Sequence, residues 1–192
     1  MHLTNRSKRA VCAIQLMLLA AGLSISGNSI AALDAFLTLE GETQGAITGD
    51  VTQAGREGSI RVIGYSHKNG EGDKWQDCKV GESSHEPLVI IKENERSTPQ
   101  LYQAYASGES FTNFALRFWR PSPSGQEEQY FTIELINAKI IGIDQQMLNN
   151  RIPENMPLRV MEHVSFVYDA IVRTYEDGGI TAVDEFKTNC GK

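Results

Sequence analysis

Three consecutive pieces decide the fold: Phe114-Ala-Leu-Arg-Phe-Trp-Arg120, Pro121-Ser-Pro-Ser-Gly-Gln-Glu-Glu-Gln129, and Tyr130-Phe-Thr-Ile-Glu-Leu-Ile-Asn-Ala-Lys-Ile-Ile-Gly-Ile143. Phe114, Leu116 and Phe118 alternate with Ala115, Arg117 and Trp119. A period of two marks a half-buried strand. Pro121, Pro123 and Gly125 end it, because proline cannot donate to a ladder and glycine accepts turn dihedrals. A second alternation places Phe131, Ile133 and Leu135 opposite Tyr130, Thr132 and Glu134, which completes a long hairpin. Beyond Leu135 the apolar phase moves to Ile136, Ala138 and Ile140. A one-residue slip exchanges the two faces, so a bulge or bend is expected near Asn137, of the kind that curls a sheet into a barrel.

Upstream of the hairpin, Ser97-Thr98-Pro99-Gln100 reads as a helix start. It offers a cap hydroxyl, a first-turn proline and a Gln placed for a capping box. Leu101, Ala104 and Tyr105 form the stripe, and Gly108 supplies the stop. Earlier strands are expected at Asp34–Glu40, Ile60–Ser66 and Leu88–Ile91, with a loop over Gly41–Gly58. Lys68–Glu86 is polar and glycine-rich, a long exposed loop of the length that is usually functional or disordered. Downstream, Met147–Pro157 is a connection, and Val160–Tyr175 reads as one long strand. In it Val164, Phe166, Tyr168, Ala170 and Val172 alternate with Ser165, Val167, Asp169, Ile171 and Arg173. Both faces are apolar, which suggests that a partner subunit covers one of them. Asp177-Gly178-Gly179 is a turn, and residues 188–192 form a frayed tail.

The chain of 192 residues carries a net charge of −6. Three of its basic residues, Arg6, Lys8 and Arg9, precede the first acidic one, Asp34; without them 15 Lys and Arg face 24 Asp and Glu, or −9. An acidic body argues against nucleic acid, whose phosphates demand a basic stripe. Residues 1–31 follow the order of a secretory signal peptide: Arg6, Lys8 and Arg9, then apolar Val11–Leu23, then small Ser29-Ile30-Ala31. The rival readings are a membrane anchor or a misassigned start, with residues 32–187 forming the domain in each case. Of the three cysteines, Cys78 and Cys190 read as separate thiols that an oxidising compartment could pair.

No nucleophile elbow, Walker loop or zinc spacing is present, and neither catalysis nor a cofactor is expected. His67, His85 and His163 with Cys78 lack ligand spacing and read as ordinary histidines. Glu127-Glu128 reads as a solvated loop pair, and Arg117 and Arg120 beside Trp119 as residues of a wet strand face able to stack on an aromatic ring.

The order and spacing of several segments then resemble the Hcp family, the tube proteins of bacterial type VI secretion systems. They are Asp34–Gly41, Ile47–Thr52, Ile60–His67, His85–Glu93, Ser97–Leu101, Phe118–Pro121, Glu127–Leu135, Glu162–Tyr168 and Gly178–Thr181. The resemblance implies a mostly β, ring-forming β-barrel with one flanking α-helix. It further implies homo-hexameric rings stacked into an ejected tube, with a spike protein and a sheath as partners and small effector proteins in the lumen. Val164, Phe166, Val167, Tyr168 and Ile171 are the expected subunit interface, and Lys74, Trp75, Gln76 and Asp77 the expected ring-stacking loop. Family members usually lack a signal peptide, so secretion through the tube apparatus and export to the periplasm stand as competing expectations for localisation. The alternative function is a periplasmic, lipocalin-like barrel that binds a small apolar ligand.

Overall fold

The computed structural model describes residues 34–69 and 85–185. The expected signal segment, the loop residues Lys74, Trp75, Gln76 and Asp77, Cys78, Cys190 and the tail lie outside the described residues. Among the described residues, eleven strands and one α-helix follow in order. They are β1 (Ala35–Gly41), β2 (Gly45–Ile47), β3 (Ile60–Val62), β4 (Gly64–Ser66), β5 (Leu88–Glu93), α1 (Thr98–Ser107), β6 (Ser110–Pro121), β7 (Glu127–Ile136), β8 (Ala138–Gln146), β9 (Met161–Val167), β10 (Ala170–Tyr175) and β11 (Ile180–Glu185). Every strand pairing is antiparallel.

The ladders close a circuit. β6 pairs β1, β1 pairs β3, and β3 runs on through Ile63 into β4. β4 pairs β5, β5 pairs β9, β9 pairs β8, and β8 returns to Ser110 and Phe111 of β6. The closure works because Ile63 already donates to the Ile91 carbonyl at 2.9 Å, so one run changes partner without losing its hydrogen bonds. From the same edge of β6, the hairpin partner β7 carries β10 and then β11 outward as an arm. Inside the barrel the hairpin alternation is realised: Phe114, Leu116, Ile133 and Leu135 are buried with Leu37, Leu88, Ile90 and Phe166. Phe166 meets Phe114 edge-on at 5.0 Å and Phe111 at 6.0 Å between ring centroids.

The bend near Asn137 is real and sharp. Asn137 has φ 53°, a left-handed conformation that Asn tolerates better than most residues, and it separates β7 from β8. A second corner faces it. The reading of Val160–Tyr175 as one strand is corrected: the chain breaks at Tyr168–Asp169 into β9, which joins β8 and β5, and β10, which joins β7. The two corners are tied together, Asp169 N–H donating to the Ile136 carbonyl at 2.9 Å and Asn137 Nδ2 to Asp169 Oδ2 at 2.7 Å. The corner shifts the side-chain parity, so Val164 and Phe166 before it and Ile171 after it all point into the core of their own chain. Apart from Val167, the large apolar residues at the centre of both sets are thereby buried within the chain itself.

Two smaller expectations also change. Gly41–Gly58 is not all loop, since β2 pairs with the end of β1 there. Gly49 permits this return, because a Cβ on it would lie 2.3 Å from the Ser59 carbonyl oxygen. The capping box at Ser97 does not form: Ser97 has helical dihedrals and its hydroxyl turns to Glu95. Thr98 Oγ1 instead accepts from the Glu95 amide at 3.2 Å. Leu101 and Ala104 are buried as the stripe requires, whereas Tyr105 is exposed. Gly108, at φ 67°, ends α1 in the left-handed cap.

Candidate assembly surface and polar seam

The outer strand of the arm is open to solvent. Along β11 every side chain except Asp184 is exposed, including Ile180 at 68% and Val183 at 62%. Its outer edge has no ladder partner among the described residues. Register places Val183 beside Val172 and Ile180 beside Tyr175. Ile180 and Val183 stand on opposite faces of the strand, and its unpaired backbone edge is a template for a further contact. On the barrel wall, Val167 and the bulged Ile141 are also exposed. Of the five residues expected at a subunit interface, Val167 alone is open. Val164, Phe166 and Ile171 have no exposed surface, and Tyr168 retains 7%.

Where the arm folds back toward the end of β4, polar side chains meet. Arg173 Nη2 lies 3.1 Å from His67 Nδ1. His67 Nε2 bonds Tyr168 Oη, which is 3.0 Å from His85 Nδ1. His85 Nε2 lies 3.2 Å from Asp184 Oδ2, off the straight hydrogen-bond line. Asn69 Nδ2 adds a donor to the same carboxylate oxygen at 3.3 Å. An isolated antiparallel bridge between Asn69 and His85 brings both ends of the long loop to this seam. Burial, then the neighbouring Arg173 and His85, lower the His67 pKa to about 4. Burial raises that of Tyr168 to about 12. Beside the seam a cleft of about 330 Å³ is lined by Tyr65, Phe131, Ile133, His67, Asn69 and Arg173.

Two of the four metal-ligand candidates of the sequence, His67 and His85, thus come together, but with a tyrosine between them. His163 sits apart on β9 beside Asp144. Among the described residues no group of three His, Cys, Asp or Glu is placed to hold a metal. The roles of Arg173 and Asp184 were not legible, because nothing local marks a polar residue on the inner phase of an arm strand.

Other motif residues hold the fold. Lys92 and Glu162 are fully buried and paired at 2.7 Å, with Thr98 bonding both. Glu109 accepts from the side chain and amide of Gln44 and the amide of Thr43. Burial alone would raise its pKa, but these donors hold it below the usual carboxylate value. Glu127 is not simply solvated: it pairs with Arg56, whose guanidinium covers Phe36 at 4.6 Å and Trp119 at 4.1 Å. Trp119 therefore stacks on Arg56, while Arg120 pairs with Glu128 and covers Tyr130 at 5.0 Å.

Comparison with known proteins agrees with this architecture. Residues 36–175 match the family described as "Type VI secretion system effector, Hcp". The "Major exported protein" of Pseudomonas aeruginosa is 30% identical over 167 residues, covering 82% of this chain and 97% of that one. Among solved structures, a crystal structure of an Hcp protein superposes with a TM-score of 0.73 at 26% identity, covering 82% of this chain and all (100%) of that one. The secreted protein Hcp3 of Pseudomonas aeruginosa gives 0.67 at 27% identity, covering 82% and 100%.

Proposed function

Because the chain belongs to the Hcp family of type VI secretion proteins, we propose that it is a structural subunit of the secretion tube. Six copies form a ring, rings stack, and the tube is ejected with small effectors inside. The observation that carries the ring is the β11 edge, where Ile180 and Val183 stay in water in a single chain. Burying such an edge in a neighbour removes both the apolar exposure and the unpaired backbone groups. A stable ring contact of this type buries roughly 2,000 Å² or more. The filled barrel interior, with Phe166 against both Phe111 and Phe114, favours this reading over a ligand-carrying lipocalin-like barrel.

The same reading assigns Lys74, Trp75, Gln76 and Asp77 to ring stacking, the spike and sheath to the tube's partners, and no turnover chemistry to the protein. It places the working protein outside the cell, as the name of the exported relative says of that protein. An export signal in residues 1–31, cleaved after Ala31, is the competing route, and intact mass of the protein from its own cells distinguishes the two. Val183→Asp is the clean test of the contact, since that side chain supports no core. Light scattering should show a hexamer for the parent and a folded monomer for the variant; a hexamer in both overturns the assignment of β11.

A further inference from the structure

The seam between the arm and the end of β4 is closed by side chains, and its Arg173 end sets the direction of the hydrogen bonds that follow. Arg173 only donates, so His67 Nδ1 must accept at 3.1 Å. A neutral His67 then carries its proton on Nε2 and donates it to Tyr168 Oη. Tyr168, having accepted, donates its own proton to His85 Nδ1 at 3.0 Å. The remaining His85 proton lies on Nε2, toward Asp184 Oδ2. The result is a single directed chain, Arg173 to His67 to Tyr168 to His85, with the Asp184 carboxylate 3.2 Å beyond it. It links the end of β4, the start of β5, the β9–β10 corner, β10 and β11.

We propose that this chain is an acid-released latch that clasps the β10–β11 arm to the barrel. Adding a proton to His67 Nδ1 sets an N–H against the Arg173 N–H and places a second cation beside the guanidinium. Neither can accept, so the Arg173 contact opens, while His67 Nε2 goes on donating to Tyr168.

Burial first, and then the charges around His67, disfavour an imidazolium there. Arg173 from β10 opposes it at contact, and His85 adds to the opposition. Asp184 from β11 and Glu86 from the approach to β5 favour it more weakly, Asp184 being engaged with Asn69 and His85 and Glu86 with Lys68 at 3.4 Å. Tyr168, from the corner, stays a neutral phenol throughout the acid range. A proton therefore enters at the cost of the clasp rather than being accommodated within it.

The latch belongs to the single chain. Its effect on assembly rests on the subunit-contact reading of β11, under which acid frees the arm that joins neighbours. The test uses the full chain, with His ring signals followed by NMR and amide exchange read residue by residue on β10 and β11. Between pH 6.5 and 4, exchange of the arm corrected for intrinsic rate should rise about tenfold or more, with less than about twofold change on β1 and β6. His67→Gln keeps a donor for Tyr168 and an acceptor for Arg173 but cannot be protonated, so its arm should stay closed. In Arg173→Met the His67 midpoint should move up toward the ordinary histidine value of about 6.5. Arm opening that persists unchanged in His67→Gln, or a His67 midpoint that Arg173→Met leaves in place, overturns the latch. Should His67→Gln fail to fold, the Arg173→Met titration decides alone. A chain found monomeric at every pH would refute the ring and leave both readouts of the latch intact.

Discussion

Removing Glu162 tests how the barrel is tied to its helix. Lys92 on β5 and Glu162 on β9 have no exposed surface. The Lys92 ammonium reaches Glu162 Oε2 at 2.7 Å, Thr98 Oγ1 at 3.1 Å and Glu95 Oε1 at 3.5 Å. Glu162 also accepts from Thr98 at 3.0 Å and from Gln145 at 3.2 Å. Thr98 is the first residue of α1, so the pair joins two strands to the helix start. Glu162→Ala strands a buried cation, which typically costs about 3–5 kcal/mol. Glu95 remains within reach and brings the expectation to about 3 kcal/mol, a large share of a domain stability of roughly 5–15 kcal/mol. With a urea slope of about 2 kcal/mol/M, the midpoint should fall by about 1.5 M at unchanged slope. Protein concentration is held fixed, because assembly would add its own stability. Lys92→Met with Glu162→Leu removes both charges and should lose less than either single change, since an apolar pair of similar volume is often neutral. A loss below about 1 kcal/mol for Glu162→Ala, or a double variant that loses the sum of the two singles, would refute the reasoning.

The two hairpin carboxylates should separate. Glu127→Ala releases the Arg56 guanidinium from its anion and should cost about 1 kcal/mol in thermal or urea unfolding, while Glu128→Ala, on a half-exposed pair, should stay within about 0.5 kcal/mol. Gly49→Ala drives a methyl into the Ser59 carbonyl and should destabilise by about 2 kcal/mol or more, seen as a lower melting temperature. Acid should weaken the fold through His67: its folded pKa of about 4 lies below the ordinary 6.5, so the unfolded chain takes up the proton first as pH falls. Stability should be constant above pH 6.5 and decline from there to about 4, by about 1–2 kcal/mol after solvent screening of a half-buried ring; His67→Gln should abolish that part of the slope in urea titrations.

The hairpin that organises the fold was legible because one face of each strand is buried and the other is wet near the loop. The Asn137 corner was legible for the same reason: a phase change in a clean alternation has one geometric meaning. The partner corner at Asp169 was hidden, because a strand apolar at almost every position shows no phase to break. That ambiguity also produced the interface expectation for Val164, Phe166 and Ile171, which the chain's own core absorbs. Ser97 and Thr98 both carry a hydroxyl suited to a cap, and sequence alone does not say which one the buried Lys92 and Glu162 will recruit. Lys92 and Glu162 themselves looked like surface charges, the usual place for both types. The seam draws its residues from positions 67, 85, 168, 173 and 184, separations that no local pattern encodes.

Electron microscopy of purified residues 32–192 addresses the central claim most directly. Closed rings with six-fold symmetry in the parent chain, reduced to single compact particles by Val183→Asp, are the predicted result. Monomers of the parent at micromolar concentration and neutral pH would contradict the tube-subunit function.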